Sequence, residues 1–567
     1  MSRFALNQIT DMKIRIRLPN AIYALCLFVT TFFWLNLTGF TQTTAFPTRE
    51  IEPYYDLNFT HAERDSLFKN LQDFQKMYEA LHKVQLNNAV PMSMVFDPTP
   101  AGFTINTKQQ PIDWGLPKDV RLPDNPTDLA FYPVYKLAVL VKARKVTSTQ
   151  LTLLYLSRLK KYADTLQCAI LMMEEAALRK ARQVDEEIAK GKYRGPLHGI
   201  PFGIKDLLSV EGTKTTWGAE PYRDQEIHET ATVVRRLEDA GAVLIVKLTM
   251  GALAMGDIWY GGVTKNPWDL NQGSSGSSAG SASSTAAGLV GFAIGTETLG
   301  SIVSPSTRCG ATGLRPSFGR VSRQGAMALS WSMDKIGPIC RSALDCAIVL
   351  NIIRGTDGLD QHVRNASFNY SAKTDVRKLR VGYLKNHFDE SYPTKENDLR
   401  SLEILRGLGV VLQPVDLTTS LPLASVRLML VAEAAAAFDE LTRSNRDSLL
   451  VNQKKNAWPN SFRSARFVPA VEYINASRIR TLLINEFYQK TKDFDVIVAP
   501  SFGGSQLLLT NLTGTPCVVL PNGFNTKGSP TSISFLGSLY GEAAVVSLAR
   551  AYQDATEWDE KIPPLFK

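Results

Sequence analysis

The chain has 567 residues, 44% of them hydrophobic and 21% charged, a length beyond one small core and a composition that excludes a disordered or fibrous polymer. Its formal net charge of +9 is dispersed. No block of like charges and no basic helix interleaved with aromatics occurs, so no nucleic-acid partner is expected. Six cysteines form no CxxC pair and six histidines form no HExxH. No metal site is expected, and buried free thiols fit better than a disulfide framework.

Residues 1–45 read as a leader. Behind Lys13, Arg15 and Arg17, the run Ala21–Leu35 (AIYALCLFVTTFFWL) has the basic-then-apolar layout of a secretory signal, and Thr43-Thr44-Ala45 offers small residues for cleavage. The run is shorter than the roughly 20 residues of a spanning helix, but continuation to Phe40 lengthens it. A membrane anchor through residues 21–40 is therefore the second reading. Either one places the protein outside the cytoplasm, periplasmic or extracellular, or at a membrane.

Residues 46–127 are rich in proline and polar residues and read as an N-terminal arm, with one helical stretch near Ala62–Val84. From Asp128 helix and strand signals alternate. Thr147–Lys161 starts on a capping residue and continues with helical apolar spacing. Thr232–Ala240 reads as a helix broken by Gly241, followed by a short strand at Ala242–Lys247. Ala279–Ala287 suggests a tightly packed helix of small residues, followed by a strand over Leu289–Ile294. Leu379–Leu384 and Val410–Leu412 read as strands around a helix at Leu399–Leu405. The alternation predicts an α/β fold with helices on both faces of a sheet.

Three segments carry chemistry. The first is Gly195–Asp206 (GPLHGIPFGIKD), in which Lys205 ends an apolar strand. Lysines are rarely buried, and burial disfavours the ammonium, which lets the amine act as a base. The competing reading is a surface lysine with its stem along apolar neighbours. The second is Gly273–Ser281 (GSSGSSAGS). A flexible linker is one reading, but the segment is short and runs straight into the small-residue helix. The third is Gly295–Ser306 (GTETLGSIVSPS), where Ser301 follows a glycine in a turn after a strand. Such a turn can set free backbone N–H groups around a serine as an oxyanion site, or it can be a structural turn.

Together these segments resemble the amidase-signature family. Its hallmark is a Gly/Ser-rich stretch whose key serine lies 24 residues before the nucleophile, with a lysine upstream on a GIPxxxKD segment; here 301 − 277 = 24. Further landmarks follow in order, among them Asn266-Pro267-Trp268, Gly313-Leu314-Arg315-Pro316, Ser332-Met333-Asp334 and Asn511-Leu512-Thr513-Gly514. The resemblance covers about Asp128 to Pro564, which defines an expected catalytic domain over 128–564.

The resemblance implies a central mixed, twisted β-sheet covered by helices on both faces, and a Ser–cis-Ser–Lys triad. Neutral Lys205 would take a proton from Ser277, which takes one from Ser301 as that residue attacks an amide carbonyl. The Gly276–Ser277 bond would be cis. The backbone N–H groups of Thr298, Leu299, Gly300 and Ser301 would hold the oxyanion, and Ser275 and Ser278 would support the triad through hydrogen bonds. The implied substrate is a small-molecule amide, cleaved to acid plus ammonia or amine, and the chemistry requires no cofactor and no metal. Three positions depart from the usual pattern: Leu299 replaces a glycine, Glu297 an aspartate and Val303 an arginine.

Other readings stand beside this one. Gly276–Gly280 also fits the G-x-S-x-G elbow of α/β-hydrolases with Ser278 as nucleophile. That elbow needs a strand before it, where Lys265–Gln272 reads as a loop, and a later histidine, for which only His362 and His387 are available. Within the same fold, the chain could be the glutaminase subunit of a tRNA-dependent amidotransferase, which releases ammonia for a partner enzyme, or a degenerate amidase kept as a binding protein. Acyl specificity is expected from the arm and from Leu421–Phe487, the least family-like parts.

Overall fold

A computed structural model describes residues 48–567. The apolar run Ala21–Leu35, the anchor expectation for residues 21–40 and the rest of the leader lie outside the described residues. Among the described residues no helix is long and apolar enough to cross a membrane.

The chain divides into two compact units, the second beginning at Asn88. The described part of the first holds a short helix at Thr48–Ile51, a 3-10 turn at Glu52–Tyr55 and a long helix at His61–His82. Thr60 and Glu63 form a reciprocal capping box at the start of that helix. Glu52 accepts from the Phe59 N–H and pairs with Arg64 at 2.8 Å. The Arg64 hydrogen bonds hold the Glu52 carboxyl down to about 2.

The second unit is built on one 11-stranded mixed sheet. In chain order the strands are β1 (Ala169–Met172), β2 (Pro201–Lys205), β3 (Val243–Leu248), β4 (Ile258–Trp259), β5 (Gly262–Val263), β6 (Lys265–Asn266), β7 (Asp269–Gly273), β8 (Phe292–Glu297), β9 (Thr312–Arg315), β10 (Lys335–Cys340), β11 (Val381–Tyr383), β12 (Leu412–Pro414), β13 (Val496–Pro500), β14 (Cys517–Phe524) and β15 (Pro530–Gly537). The sheet order is β1-β3-β2-β8-β10-β9-β14-β15-β13-β11-β12, while β4–β5 and β6–β7 form two small ribbons. Strand β2 lies parallel to both β3 and β8.

Every residue of β2, β3, β8 and β10 is buried. Successive side chains in a strand point to opposite faces, so helices cover both faces here, which is why these strands read as continuous apolar runs. The helix Ser148–Leu166 starts on a capping box between Thr147 and Gln150 and buries Leu151, Tyr155, Leu159 and Leu166. Cys168, Cys309, Cys340, Cys346 and Cys517 are buried free thiols.

The helix Ala279–Ala286 (AGSASSTA) is buried on every side. Its small residues follow from close approach: a Cβ on Gly280 would lie 2.5 Å from the Cys168 carbonyl oxygen and 2.6 Å from Thr249 N. The strand expected over Leu289–Ile294 runs instead from Phe292 to Glu297. Leu289 and Val290 are apolar because they fill a buried turn after this helix. Lys265–Gln272, read as a loop, is largely the β6–β7 ribbon. That ribbon lies outside the main sheet, so no sheet strand leads into Ser278.

Gly280→Ala therefore overpacks the contact with Cys168 and Thr249 and is expected to destabilise the protein by about 1–3 kcal/mol, read from the midpoint of urea unfolding. Gly407→Ala, at an exposed helical glycine with open space around it, is expected to be neutral or stabilising by up to about 1 kcal/mol.

Candidate active site

Lys205 ends β2, and β8 runs parallel beside it with Ile204 opposite Ile294. The carboxyl ends of both strands thus open at one level, where α/β sheets place their sites. Lys205 is wholly buried. Its Nζ is hydrogen-bonded to Ser277 Oγ at 2.7 Å, Thr296 Oγ1 at 2.8 Å and Ser278 Oγ at 3.2 Å. Burial pushes the amine down to about 7, against the opposing charges of Asp334 and Glu297.

Ser277 and Ser278 stand at the entry to the helix Ala279–Ala286, delivered there by the β6–β7 ribbon. The Gly276–Ser277 bond is cis. A Cβ on Gly276 would lie 1.8 Å from the Gly256 carbonyl oxygen, so only glycine fits under the Gly251–Asp257 loop. That loop also binds the turn, with Gly251 N–H donating to the Ser277 carbonyl at 3.3 Å. Ser278 Oγ donates to the Thr296 carbonyl at 3.0 Å and accepts from Thr296 N–H at 3.1 Å. Ser275 differs from expectation: its side chain makes no hydrogen bond to the triad positions among the described residues. It shapes the turn through its backbone instead, with φ +59° and an N–H that donates to Asp257 Oδ2 at 2.9 Å.

Ser301 sits in the turn between β8 and the helix Val303–Cys309, with Gly300 at φ +83°. The turn is organised by Glu297. One carboxylate oxygen accepts from the Ile302 and Val303 N–H groups at 2.8 and 3.0 Å. The other accepts from Arg315 Nη1 and Asn511 Nδ2, both at 2.8 Å. Burial alone would raise this carboxyl, but the Arg315 charge and these hydrogen bonds outweigh it and hold it at about 2. The N–H groups of Thr298, Leu299, Gly300 and Ser301 have no acceptor among the described residues. Thr298 Oγ1 donates to Asp334 Oδ1 at 2.6 Å, and Asp334 Oδ2 accepts from the Leu329 and Ser330 N–H groups. Ser301 approaches Ser277 through the main chain, with Ser278 N–H donating to the Ser301 carbonyl at 3.2 Å. The two hydroxyls are not hydrogen-bonded to each other in this structure.

The structure thus gathers Lys205, Ser277, Ser278 and the Ser301 turn at one strand end. Sequence reasoning assigned no role to Thr296, Arg315, Asp334 or Asn511. The last three lie in the landmark stretches Gly313–Pro316, Ser332–Asp334 and Asn511–Gly514, and their place in those stretches was the signal that could have marked them. Val303 is buried, so an apolar side chain fills the place where the resemblance leads one to expect a cation. A cavity of about 100 Å³ abuts the site, lined among others by Leu207, Ala254, Thr296, Thr298, Met327 and Asp334.

Comparison with protein families matches the family described as Amidase over residues 150–507. The glutamyl-tRNA(Gln) amidotransferase A chain of Chloroflexus aurantiacus is 32% identical over 490 residues, covering 77% of this chain and 99% of that protein. Its counterpart in Moorella thermoacetica is 30% identical over 489 residues, with the same coverage. Among solved structures, the native peptide amidase of Stenotrophomonas maltophilia aligns with a TM-score of 0.67 and 29% identity over 76% of this chain and 98% of that one. A bacterial aryl acylamidase aligns at 0.68 with 20% identity, over 76% and 97% of the two chains, a likeness of fold alone. The chain belongs to the amidase-signature family, whose hydrolases act on C–N bonds.

The buried Glu297–Arg315 pair gives a stability test. Glu297→Gln leaves the guanidinium buried without a counter-charge and is expected to cost about 3–5 kcal/mol. The double variant Glu297→Leu/Arg315→Met is expected to recover part of that loss, measured by chemical unfolding.

Proposed function

We propose that the chain hydrolyses a carboxylic amide to an acid and ammonia or an amine through an acyl-enzyme on Ser301. The observation that carries this reading is the 2.7 Å contact of a buried lysine, its pKa brought near neutrality, with Ser277. A neutral amine has two N–H groups and one lone pair. Ser278 commits its proton to the Thr296 carbonyl and meets Lys205 as an acceptor. Thr296 Oγ1 takes the second N–H. The lone pair is then left for the proton of Ser277.

Ser277 in turn takes the proton of Ser301 as Ser301 Oγ bonds to the amide carbon. The carbonyl electron pair moves onto oxygen, where the N–H groups of Thr298 to Ser301 receive it; each such donor is worth about 3 kcal/mol in the transition state. Collapse of the intermediate breaks the C–N bond, and Ser277 passes its proton to the leaving nitrogen. Water then attacks the acyl-enzyme by the same relay in reverse.

A second reading is favoured by the curated relatives, which the chain matches over 99% of their length. In it the amide is that of glutamine and the ammonia passes to a partner within a tRNA-dependent amidotransferase. Both readings share the Ser301 chemistry and differ in what supplies the acyl group. The isolated full chain separates them: turnover of simple amides supports an independent amidase. Turnover confined to glutamine and raised by a partner supports the amidotransferase.

Ser301→Ala is expected to lower kcat by about 10⁴-fold or more and to abolish fluorophosphonate labelling located by mass spectrometry. Lys205→Ala is expected to lower kcat by about 10²–10⁴-fold. Lys205 works as a base only when neutral, and its pKa is brought down to about 7. The expected kcat/KM of the wild type therefore rises about tenfold per pH unit below 7 and levels off above it. A profile without that limb would remove Lys205 from the relay.

A further inference from the structure

The cavity beside the site has a buried end at Thr296 and Thr298 and an outer end made by two segments distant in sequence. Of the residues lining it, Ala89, Pro91, Leu359 and Gln361 are exposed. They are the part of the wall that stands between the cavity and solvent. Residues 88–91, where the expected N-terminal arm enters the second unit, belong to no helix or strand. A segment of that kind opens readily unless side chains tie it down.

The half-buried Asn88 side chain is such a tie. Its Nδ2 donates to the Ala328 carbonyl at 3.0 Å, and its Oδ1 accepts from the Ala328 N–H at 2.8 Å. This reciprocal pair fixes which way the amide faces, and Ala328 itself lines the cavity. Nδ2 also donates to the Ala437 carbonyl at 3.3 Å. Ala437 closes the helix Leu428–Ala437, and the last carbonyls of a helix have no partner within it. Both polar atoms of the Asn88 amide are thus spent on holding the segment to the cavity wall and to a helix end. Two residues further on, Pro91 fixes its own φ and biases Val90 to extended backbone. The stretch that follows the tie is therefore stiff.

In the relay proposed above, Thr298 belongs to the oxyanion donors and Ser277 meets the leaving nitrogen. Thr298 lines the cavity and Ser277 does not, which puts the cavity on the acyl side. Leu207 and Met327 give it apolar surface, suited to a carbon chain. An apolar cavity of about 150 Å³ takes a benzene ring. This one measures about 100 Å³, which leaves room for on the order of four or five carbon atoms. We propose that residues 88–91 are a sill, latched by Asn88, that limits the acyl group of the substrate to about this length. The proposal rests on the amidase reading and narrows its substrate class to amides of short, uncharged acyl chains. A longer chain must displace Ala89 and Pro91, and the Asn88 hydrogen bonds oppose that displacement.

The test uses the full chain and straight-chain primary amides from acetamide to decanamide. For the wild type, kcat/KM is expected to rise about fourfold per added methylene up to pentanamide, and to fall on the order of tenfold by octanamide as the chain meets the sill. In Asn88→Ala the ratio of octanamide to butanamide kcat/KM should rise on the order of tenfold. In Ala89→Phe, which thickens the sill, the fall should begin at a shorter chain. A ratio does not depend on how much of a variant is folded, so these opposite shifts separate a sill from general damage. Apart from turnover, hydrogen exchange of the Ala328 N–H should quicken on the order of tenfold in Asn88→Ala, and unchanged protection there overturns the latch. Wild-type rates that keep rising through octanamide, an Asn88→Ala ratio equal to that of the wild type, or an unmoved limit in Ala89→Phe would each overturn the sill alone. Absence of cleavage of every amide in the series overturns the amidase reading, and the sill with it.

Discussion

The site depends on a lysine that is buried among hydroxyls instead of beside a carboxylate. The contrast lies one strand away. Lys247 on β3 is equally buried, but its Nζ is 2.9 Å from Asp206 Oδ1, the residue next to Lys205 in sequence. Burial lowers the pKa of both lysines; beside Lys247 the Asp206 charge opposes that shift at hydrogen-bond distance, while Lys205 has only hydroxyls in contact and is brought down to about 7. Adjacent strands thus place one residue type in different company. Asp206 and Lys247 bind the Thr215–Thr216 turn, whose groups donate to Asp206 Oδ2 or accept from Lys247, and Lys205 is left in contact with hydroxyls alone.

A second constraint follows from the first. A neutral amine is useful only if its proton acceptor geometry is fixed, and the fold supplies this by close packing. Gly276 lies under the Gly256 carbonyl, Gly280 against Cys168 and Thr249, and Gly295 with a Cβ position only 2.8 Å from Ser278 Oγ. Each glycine removes a side chain where backbone must approach backbone or a hydroxyl. Glu297 does for the Ser301 turn what these glycines do for Ser277. Its buried carboxylate ties together two turn N–H groups, Arg315 on β9 and Asn511. The turn is therefore anchored from the sheet side, and the N–H groups of Thr298 to Ser301 are left without an acceptor among the described residues.

These two anchors also show why the cavity wall and the reacting centre are one mechanical body. Asp334 links Thr298 to the Leu329–Ser330 stretch. Glu433 accepts from Ser330, Ser332 and Tyr473, and Arg480 donates to Ser332. Residues of the helices Leu428–Ala437 and Ala470–Thr491, within the stretch expected to set acyl specificity, thereby hold the loop that carries Trp331 and Asp334. No residue of these two helices lines the cavity beside the site; they reach it through this hydrogen-bonded loop.

Much of this was legible in the sequence because it is local. The Thr147–Gln150 capping box, the helix ended by Gly241, the apolar run of β3 and the 24-residue spacing of Ser277 and Ser301 are set by neighbours along the chain, where periodicity and backbone preference speak directly. Lys205 could be marked as unusual from its apolar flanks, but burial among three hydroxyls, and hence its lowered pKa, required Thr296 and the seryl turn to arrive from 72 to 91 residues away. The edges of β8, the β6–β7 ribbon and the pairing of Glu297 with Arg315 and Asn511 were likewise decided only in three dimensions. A buried charge is tolerable only next to its partner, and an apolar residue in a tight turn looks the same in sequence as one in a strand. Sequence named the candidate groups; tertiary contact set their charge states, their hydrogen-bond partners and the shape of the space beside them.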